Sequence, residues 1–260
     1  MHTPAAFMPG RSLPDELQAA MERVRAFGVT YPEGYLRTLV GTYGEQGVRY
    51  PHVLMILGQP RIHRHFFYPR ALCMTGRLLD YGCGTGDNVR QLIRDGFPRE
   101  QITAFDINWE SISLGLDLYR DGEEMEELVV VSEIFPFGPG EFDTVYSASV
   151  IHVIAGEQEF LDYLDHACSV LRPGGIFFGS TLGLIDGAVR PPGTRGPPRI
   201  LTREQLAAFL AGAGFGSPVI VRRDGVPGYV PGSRNLCIFE FSAEKQEPGP
   251  AGKRVPRTGW

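Results

Sequence analysis

What this chain has little of narrows it first. It carries four cysteines in 260 residues, Cys73, Cys83, Cys168 and Cys237, far apart and with no CxxC pair. That spacing supplies neither a disulfide framework nor the ligand pairs of a structural zinc, so reduced thiols and no metal are expected. Positive charge is in deficit: 25 Lys+Arg stand against 30 Asp+Glu, a net charge of −5 with a pI of about 5.7. Non-specific nucleic-acid binding draws on clustered positive charge, so no nucleic-acid partner is expected. No uninterrupted apolar run approaches the ~20 residues that a membrane helix needs. The opening MHTPAAFMPGRSLPDEL lacks the basic start and apolar core of a secretory leader. The expectation is a cytoplasmic protein without membrane contact.

What is present is ordinary globular material, 43% hydrophobic and 21% charged, with 33 glycines and 21 prolines unevenly spread. Residues 187–198, GAVRPPGTRGPP, read as a loop, because Pro lacks the backbone donor and Gly costs entropy. Residues 243–260, AEKQEPGPAGKRVPRTGW, read as a flexible, solvated tail. The first 70 residues look helical. Ser12 and Asp15 form a capping-box pattern ahead of Leu17, Met21, Val24 and Phe27 at helical spacing, and a second helix is predicted over 33–45.

A different rhythm then begins. Apolar runs at 77–81, 101–107, 127–132, 142–148 and 174–181 alternate with helix-like stretches at 86–95, 109–121, 156–171 and 202–213. Two further strands fit at 216–222 and 235–242. Such alternation predicts an α/β fold, a mostly parallel seven-stranded sheet with helices on both faces and ligands at the strand C-ends. The chain divides into an N-terminal helical cap and substrate region (1–70), a core (71–242) and the tail.

The strongest motif is Asp80-Tyr81-Gly82-Cys83-Gly84-Thr85-Gly86-Asp87, an apolar strand running into three alternating glycines where a helix opens. Glycines there let the backbone turn sharply and approach a ligand closely. A dinucleotide site wants GxGxxG, and Asp87 stands where its third glycine belongs. A carboxylate there repels a pyrophosphate, so Asp80 and Asp87 suit a cationic ligand. A plain tight strand–helix turn also yields GxGxG. Asp106 ends the next strand 20 residues after Gly86, where a carboxylate accepts both hydroxyls of a ribose or caps the helix before Trp109. Cys83, inside the loop, reads as small packing.

DYGCGTG, FDIN, VVVSEIFPFGPGEFDTVYSASVIHVI and LRPGGIFFGS follow in order over roughly 75–242. Together they resemble the successive motifs of class I S-adenosylmethionine-dependent methyltransferases. The resemblance implies that family's Rossmann-like fold and S-adenosyl-L-methionine as cofactor. Position by position, it implies that Asp80, Gly82, Gly84 and Gly86 cradle the methionine part. Asp106 holds the ribose, Ile107 lies against the adenine, and Ser147 lines the floor beneath the sulfonium. Glu133 stands where the family usually has an Asp accepting from the adenine amino group. Tyr81, Asn108, Ser132 and Ile134 are further cofactor neighbours. A narrower resemblance over 86–125 and SASVIHVI is to the methyltransferases of fungal meroterpenoid and related secondary-metabolite pathways, whose members typically esterify a carboxylic acid.

The implied function is O-methylation of a small organic acid in secondary metabolism. Phenol O-, N- or C-methylation, an NAD-dependent oxidoreductase and a non-catalytic binding protein are the alternatives. His152, after the fourth strand, suits a base near neutral pH or an orienting group, and equally a core histidine. A carboxylate acceptor is already ionised and needs no base. Substrate candidates are Tyr31 and Tyr35 from the Tyr-rich lead-in, His63 and Arg64 from RIHRHFFY, and Arg190 in the Pro/Gly loop. Arg190, Arg195 and Arg199 of that loop read equally as solvent-exposed, with one of them able to grip an acid, and the RIHRHFFY cluster equally as a solvated basic helix face. A homodimer is left open.

Overall fold

The computed structural model describes residues 12–46, 52–185, 199–223 and 235–247. Helix α1 (Leu13–Val24) begins as its sequence dictates: Ser12 accepts from the Asp15 amide and Asp15 accepts from the Ser12 amide. Helices α2 (Tyr35–Gln46), α3 (His52–Ile56) and α4 (Tyr68–Leu72) follow. The repeating core then runs β1 (Leu78–Tyr81), α5 (Asp87–Arg94), β2 (Ile102–Asp106), α6 (Trp109–Tyr119), α7 (Gly122–Met125) and β3 (Val129–Val131). It continues through β4 (Phe142–Ala148), α8 (Glu157–Ser169), β5 (Leu171–Leu184), α9 (Arg203–Gly212), β6 (Val219–Arg223) and β7 (Leu236–Glu244).

The seven strands form one sheet in the order β3-β2-β1-β4-β5-β7-β6. The first five pair parallel, and β7 lies antiparallel to both β5 and β6, so β7 alone is reversed. The strand order changes direction beside β1, the switch point at which open α/β sheets hold ligands. Three strands differ from the sequence expectation, of which β6 starts at Val219 and not at 216. β3 is shorter because 126–128 close a 3₁₀ turn, and β5 is longer because its far end pairs with Leu236, Cys237 and Ile238.

Both sheet faces are covered, which explains why the central strands read as apolar runs and not as alternating ones. On one face Phe160 and Leu164 of α8 and Leu206 and Leu210 of α9 bury Val145, Phe177, Phe239 and Phe241. On the other, Val89 and Leu92 of α5 and Ile112 of α6 pack on Leu78, Ile102, Ala104 and Phe178. The N-terminal helices make a third cluster, in which Leu17, Met21, Val24, Leu39 and Leu54 close on Leu114, Leu118 and Tyr119 of α6. Their apolar faces are therefore directed to α6. The stretch 58–68 is tied to Ser149 past β4, to Gly179 in β5 and to Glu240 in β7.

The expected tail begins too early at 243. Ala243 and Glu244 lie in β7, the Lys245 amide donates to Gly175 O at 2.8 Å, and its Nζ donates to Leu171 O at 2.6 Å and Ser169 O at 3.2 Å. A cut after Ala243 removes these bonds. Residues 248–260 and the 187–198 loop, with Arg190 and Arg195, lie outside the described residues. No helix among the described residues is long and apolar enough to cross a membrane.

Candidate cofactor and acceptor site

The glycine loop leaves β1 with three left-handed residues, Gly82 (φ 83°), Gly84 (φ 56°) and Gly86 (φ 75°). A Cβ on Gly82 would lie 2.3 Å from Val150 Cγ2, so this glycine is required where the loop passes the end of β4. A Cβ on Gly84 would meet nothing within 4 Å, so the middle of the loop faces open space. Below it, Asp80 is buried and neither of its carboxylate oxygens has a hydrogen-bond partner among the described residues. Burial, and then the charges of Asp106 and Asp87, push its pKa up to about 8. A buried orphan acceptor is rare in native proteins and marks a place where a ligand donor belongs. The ammonium of a bound amino acid moiety fits that requirement.

Asp106 joins the end of β2 to the loop: Oδ2 accepts from the Gly84 amide at 2.8 Å and Oδ1 from the Asn108 amide at 2.9 Å. The cap of α6 is Asn108 and not Asp106, because Asn108 Oδ1 accepts from the Ser111 amide at 2.9 Å. Asn108 is thus a structural residue first, although its buried Nδ2 has no partner among the described residues. Beyond it Ile107 is 51% and Ile134 79% exposed, large aliphatic surfaces beside the strand ends that an apolar ring would cover. Glu133 is exposed between them, and Ser132 turns its hydroxyl onto Ile134 O at 2.6 Å.

Asp87 plays another part than its place in the motif suggests. Its carboxylate accepts from the Gly58 amide at 2.6 Å and from the hydroxyls of Tyr119 and Thr85. It is an internal tie, so the choice of a cationic ligand rests on Asp80. Tyr81 contributes only backbone to the loop, its ring lying 4.6 Å from that of Tyr163 and 4.9 Å from that of Phe135 in the α8 layer. Burial pushes the Cys83 thiol well up, which suits its packing role.

The residues expected at the β4–β5 end are largely engaged within the protein. Ser147 donates to Tyr81 O and accepts from Tyr163 Oη, both at 2.6 Å, so its hydroxyl is engaged within the protein. His152 is buried, and its Nδ1 accepts from the Leu182 amide at 3.2 Å. That bond assigns the proton of the neutral ring to Nε2. Tyr31 and Tyr35 donate to Leu118 O and Asp117 O at 2.6 and 2.8 Å, fastening the N-terminal helices to α6, and neither reaches a substrate through its hydroxyl. Burial pushes Tyr31 up to about 12. His63 and Arg64 are exposed, with Arg64 Nε donating to His63 Nε2 at 3.3 Å. Burial, followed by the charge of Arg64, lowers the His63 pKa. Arg199 is not solvent-exposed: it pairs with Glu157 at 2.9 Å and lies 4.3 Å from the Phe160 ring centroid.

Two neighbours of His63 and Arg64 take the inward positions instead. Arg61 Nη2 donates to Ser149 Oγ at 2.8 Å, just past β4, and Ser149 is one of two non-glycine residues with positive φ (64°) among those described. Strain of that kind gathers at functional sites. His65 is buried, with Nδ1 accepting from the Phe67 amide at 3.1 Å and Nε2 donating to Gly179 O at 2.9 Å. The 3₁₀ turn over Ile62–Arg64 carries the exposed His63 and Arg64 and is followed directly by the buried His65. Nothing in RIHRHFFY announces that turn.

Residues 78–175 match the family described as Methyltransferase domain. An O-methyltransferase of ubiquinone biosynthesis from Caulobacter vibrioides is 33% identical over 154 residues, 52% of this chain and 57% of that protein. The asnovolin E/chermesin D methyltransferase nvfJ of Aspergillus novofumigatus is 26% identical over 119 residues, 42% of each chain. The chain thus spans little more than half the length of these relatives or less. Among solved structures, a putative sarcosine dimethylglycine methyltransferase from Galdieria sulphuraria superposes with a TM-score of 0.57 at 12% identity, covering 81% of this chain and 97% of that one, a likeness of fold. An oxidoreductase reading is thereby set aside. With the orphan carboxylate of Asp80 below an open glycine loop, these likenesses mark residues 78–175 as a methyltransferase domain and support a class I S-adenosylmethionine-dependent methyltransferase.

Proposed function

We propose that this protein transfers a methyl group to an oxygen of a small organic molecule, and that the acceptor is a carboxylate converted to its methyl ester. The observation that carries the choice of acceptor is the tautomer imposed on His152. Its Nδ1 lone pair is held by the Leu182 amide, and His65 is fixed in the same sense by the Phe67 amide. Neither histidine at the β4–β5 end offers a lone pair to take a proton. A phenol of pKa near ~10 needs such a base, whereas a carboxylate is already the nucleophile at neutral pH.

S-adenosylmethionine, when bound, supplies an electrophilic methyl on its sulfonium. The chain's own residues bind and align. Asp80 meets the ammonium, Asp106 the ribose hydroxyls, Ile107 and Ile134 the adenine faces and Glu133 its amino group. Arg61, in place of His63 and Arg64, orients the acid, because a guanidinium matches a carboxylate with two parallel donors. Alignment and exclusion of water account for the acceleration, since no proton has to move. The stretch 58–68 serves as the substrate-side cover formerly expected of the whole N-terminal region. The names of the two relatives denote methyltransferases of a quinone pathway and of fungal natural products, which supports a small-molecule acceptor.

The test is a mass-spectrometric screen of methyl transfer to carboxylic acids, phenols and amines, followed by mild alkaline hydrolysis of the product. A product that releases methanol is the expected result. An alkali-stable ether or methylamine would overturn the carboxylate assignment.

A further inference from the structure

The stretch from Gly58 to Phe66 runs from the first turn of α5 past β4 and β5 to β7 and is held by hydrogen bonds along the way. The Gly58 amide donates to Asp87 Oδ1 at 2.6 Å. The Arg61 and Ile62 amides both donate to Asn88 Oδ1, at 3.0 and 3.1 Å. Arg61 then reaches Ser149 past β4, His65 donates to Gly179 O in β5, and the Phe66 amide donates to Glu240 Oε2 in β7 at 3.1 Å. Three of these ties come from two consecutive residues, Asp87 and Asn88, which directly follow Gly86 of the cofactor loop. Asp87 is also fixed by Tyr119 of α6, so the core holds it whether or not the loop is ordered. Asn88 has no such second anchor in its carbonyl oxygen, whose two bonds both go to the strap.

We propose that Asn88 is a positioning residue: it couples the glycine loop to this strap, so that S-adenosylmethionine bound at the loop fixes Arg61 and the acceptor binds second. The inference rests on the reading above that Gly82–Gly86 receive the cofactor and Arg61 the acceptor. A loop with three left-handed glycines has many conformations to lose. A ligand that orders it also orders whatever is bonded to its exit, and by linkage the ordered strap favours the ligand in return. Asn88 is where that coupling passes, because one oxygen holds two successive strap amides.

The experiment is hydrogen exchange at the Arg61 and Ile62 amides of the full chain, with and without S-adenosylhomocysteine, alongside calorimetric titration of that ligand. In the unsubstituted protein the ligand should slow both amides about fivefold or more. Asn88→Ala should bind the ligand within about threefold of that protein yet lose the slowing. Asn88→Asp, which keeps an acceptor oxygen, should restore it. Should the alanine variant not fold, Asn88→Gln displaces the oxygen by one methylene and takes its place. Unchanged exchange on ligand binding, or slowing that persists in Asn88→Ala, would overturn the proposal, as would a loss of ligand affinity beyond about tenfold, which would make Asn88 part of the cofactor site itself. Failure of the unsubstituted protein to bind S-adenosylhomocysteine at all would instead remove the cofactor reading, and calorimetry reports that separately.

Discussion

At the β1–β2–β3 end of the site, Asp80 keeps two buried carboxylate oxygens and Asn108 a buried amide nitrogen without partners among the described residues. At the β4–β5 end, Ser147, His152 and His65 each place their polar atoms on groups of the protein. The contrast separates two uses of buried polarity. An unpartnered buried group costs about 1–3 kcal/mol, more when charged, and is retained where a ligand relieves it. A closed network contributes order and offers a ligand little. On the proposed reading the first end serves binding and the second shape, and Arg61 reaches the second from the strap through Ser149.

The largest effect expected from this contrast belongs to Asp80. Asp80→Asn should lower affinity for S-adenosylmethionine by roughly 1.5–3 kcal/mol, the scale of a hydrogen bond to a charged group. It should also raise the melting temperature of the ligand-free protein at pH 8. The sign follows from linkage. A pKa of about 8 in the folded state, above the ordinary 3.8, contributes stability that is complete below pH 3.8 and lost as pH rises through 8. An asparagine has no such loss. Calorimetry in buffers of different ionisation enthalpy should also detect a proton released on cofactor binding at pH 7, and none well above pH 8. A variant that binds normally would place Asp80 with the closed networks.

Asp106→Ala comes next. It should weaken cofactor binding by about 1.5–3 kcal/mol, through the ribose and through release of the Gly84 amide. Unchanged affinity in titration calorimetry would remove the ribose assignment.

His152→Asn probes the other end. Loss of the acceptor for the Leu182 amide should cost about 1–3 kcal/mol of stability. The effect on kcat should be no more than about tenfold, since no base is lost. A collapse beyond about a hundredfold, recovered by raising the pH, would return His152 to catalysis and favour a phenol acceptor.

Smaller still is the pH effect of His65. Burial lowers its pKa below the ordinary 6.5, against the opposing pull of its Gly179 bond and Glu240. The stability it contributes is complete above pH 6.5 and is lost as pH falls through its lowered folded-state value. Acid should therefore loosen the strap, read as faster exchange at 65–67, while His65→Gln should flatten that dependence. Least of all, Tyr163→Phe should cost about 0.5–1.5 kcal/mol in melting experiments and leave cofactor affinity unchanged. Weakened binding in that variant would mean that Ser147 serves the cofactor after all.

The legibility of the two ends in the sequence was as unequal as their chemistry. The sheet was readable because each strand carries its own apolar run and each helix its own stripe, and the α1 capping box lies within four residues. The glycine loop, Asp80 and Asp106 were readable for a similar reason: a strand–turn–helix motif places them by local geometry alone. The acceptor side was not. Tyr31 and Tyr35 resemble substrate residues until α6 supplies the carbonyls that take their hydroxyls, 87 and 82 residues away. Asp87 resembles a ligand-facing charge until Gly58 and Tyr119 close on it.

By itself, then, the sequence determined the alternation of strands and helices and the placing of the glycine loop, Asp80 and Asp106 at the ends of the first two strands, because those follow from periodicity and from spacings of a few residues. Only the tertiary structure decided that β7 inserts reversed between β5 and β6, that His152 lends its lone pair to a backbone amide, and that Arg61 faces inward while His63 and Arg64 face out. The reason is physical. A polar side chain is committed by whichever partner folding brings within about 3 Å, and those partners come from strands and helices that lie far away along the chain.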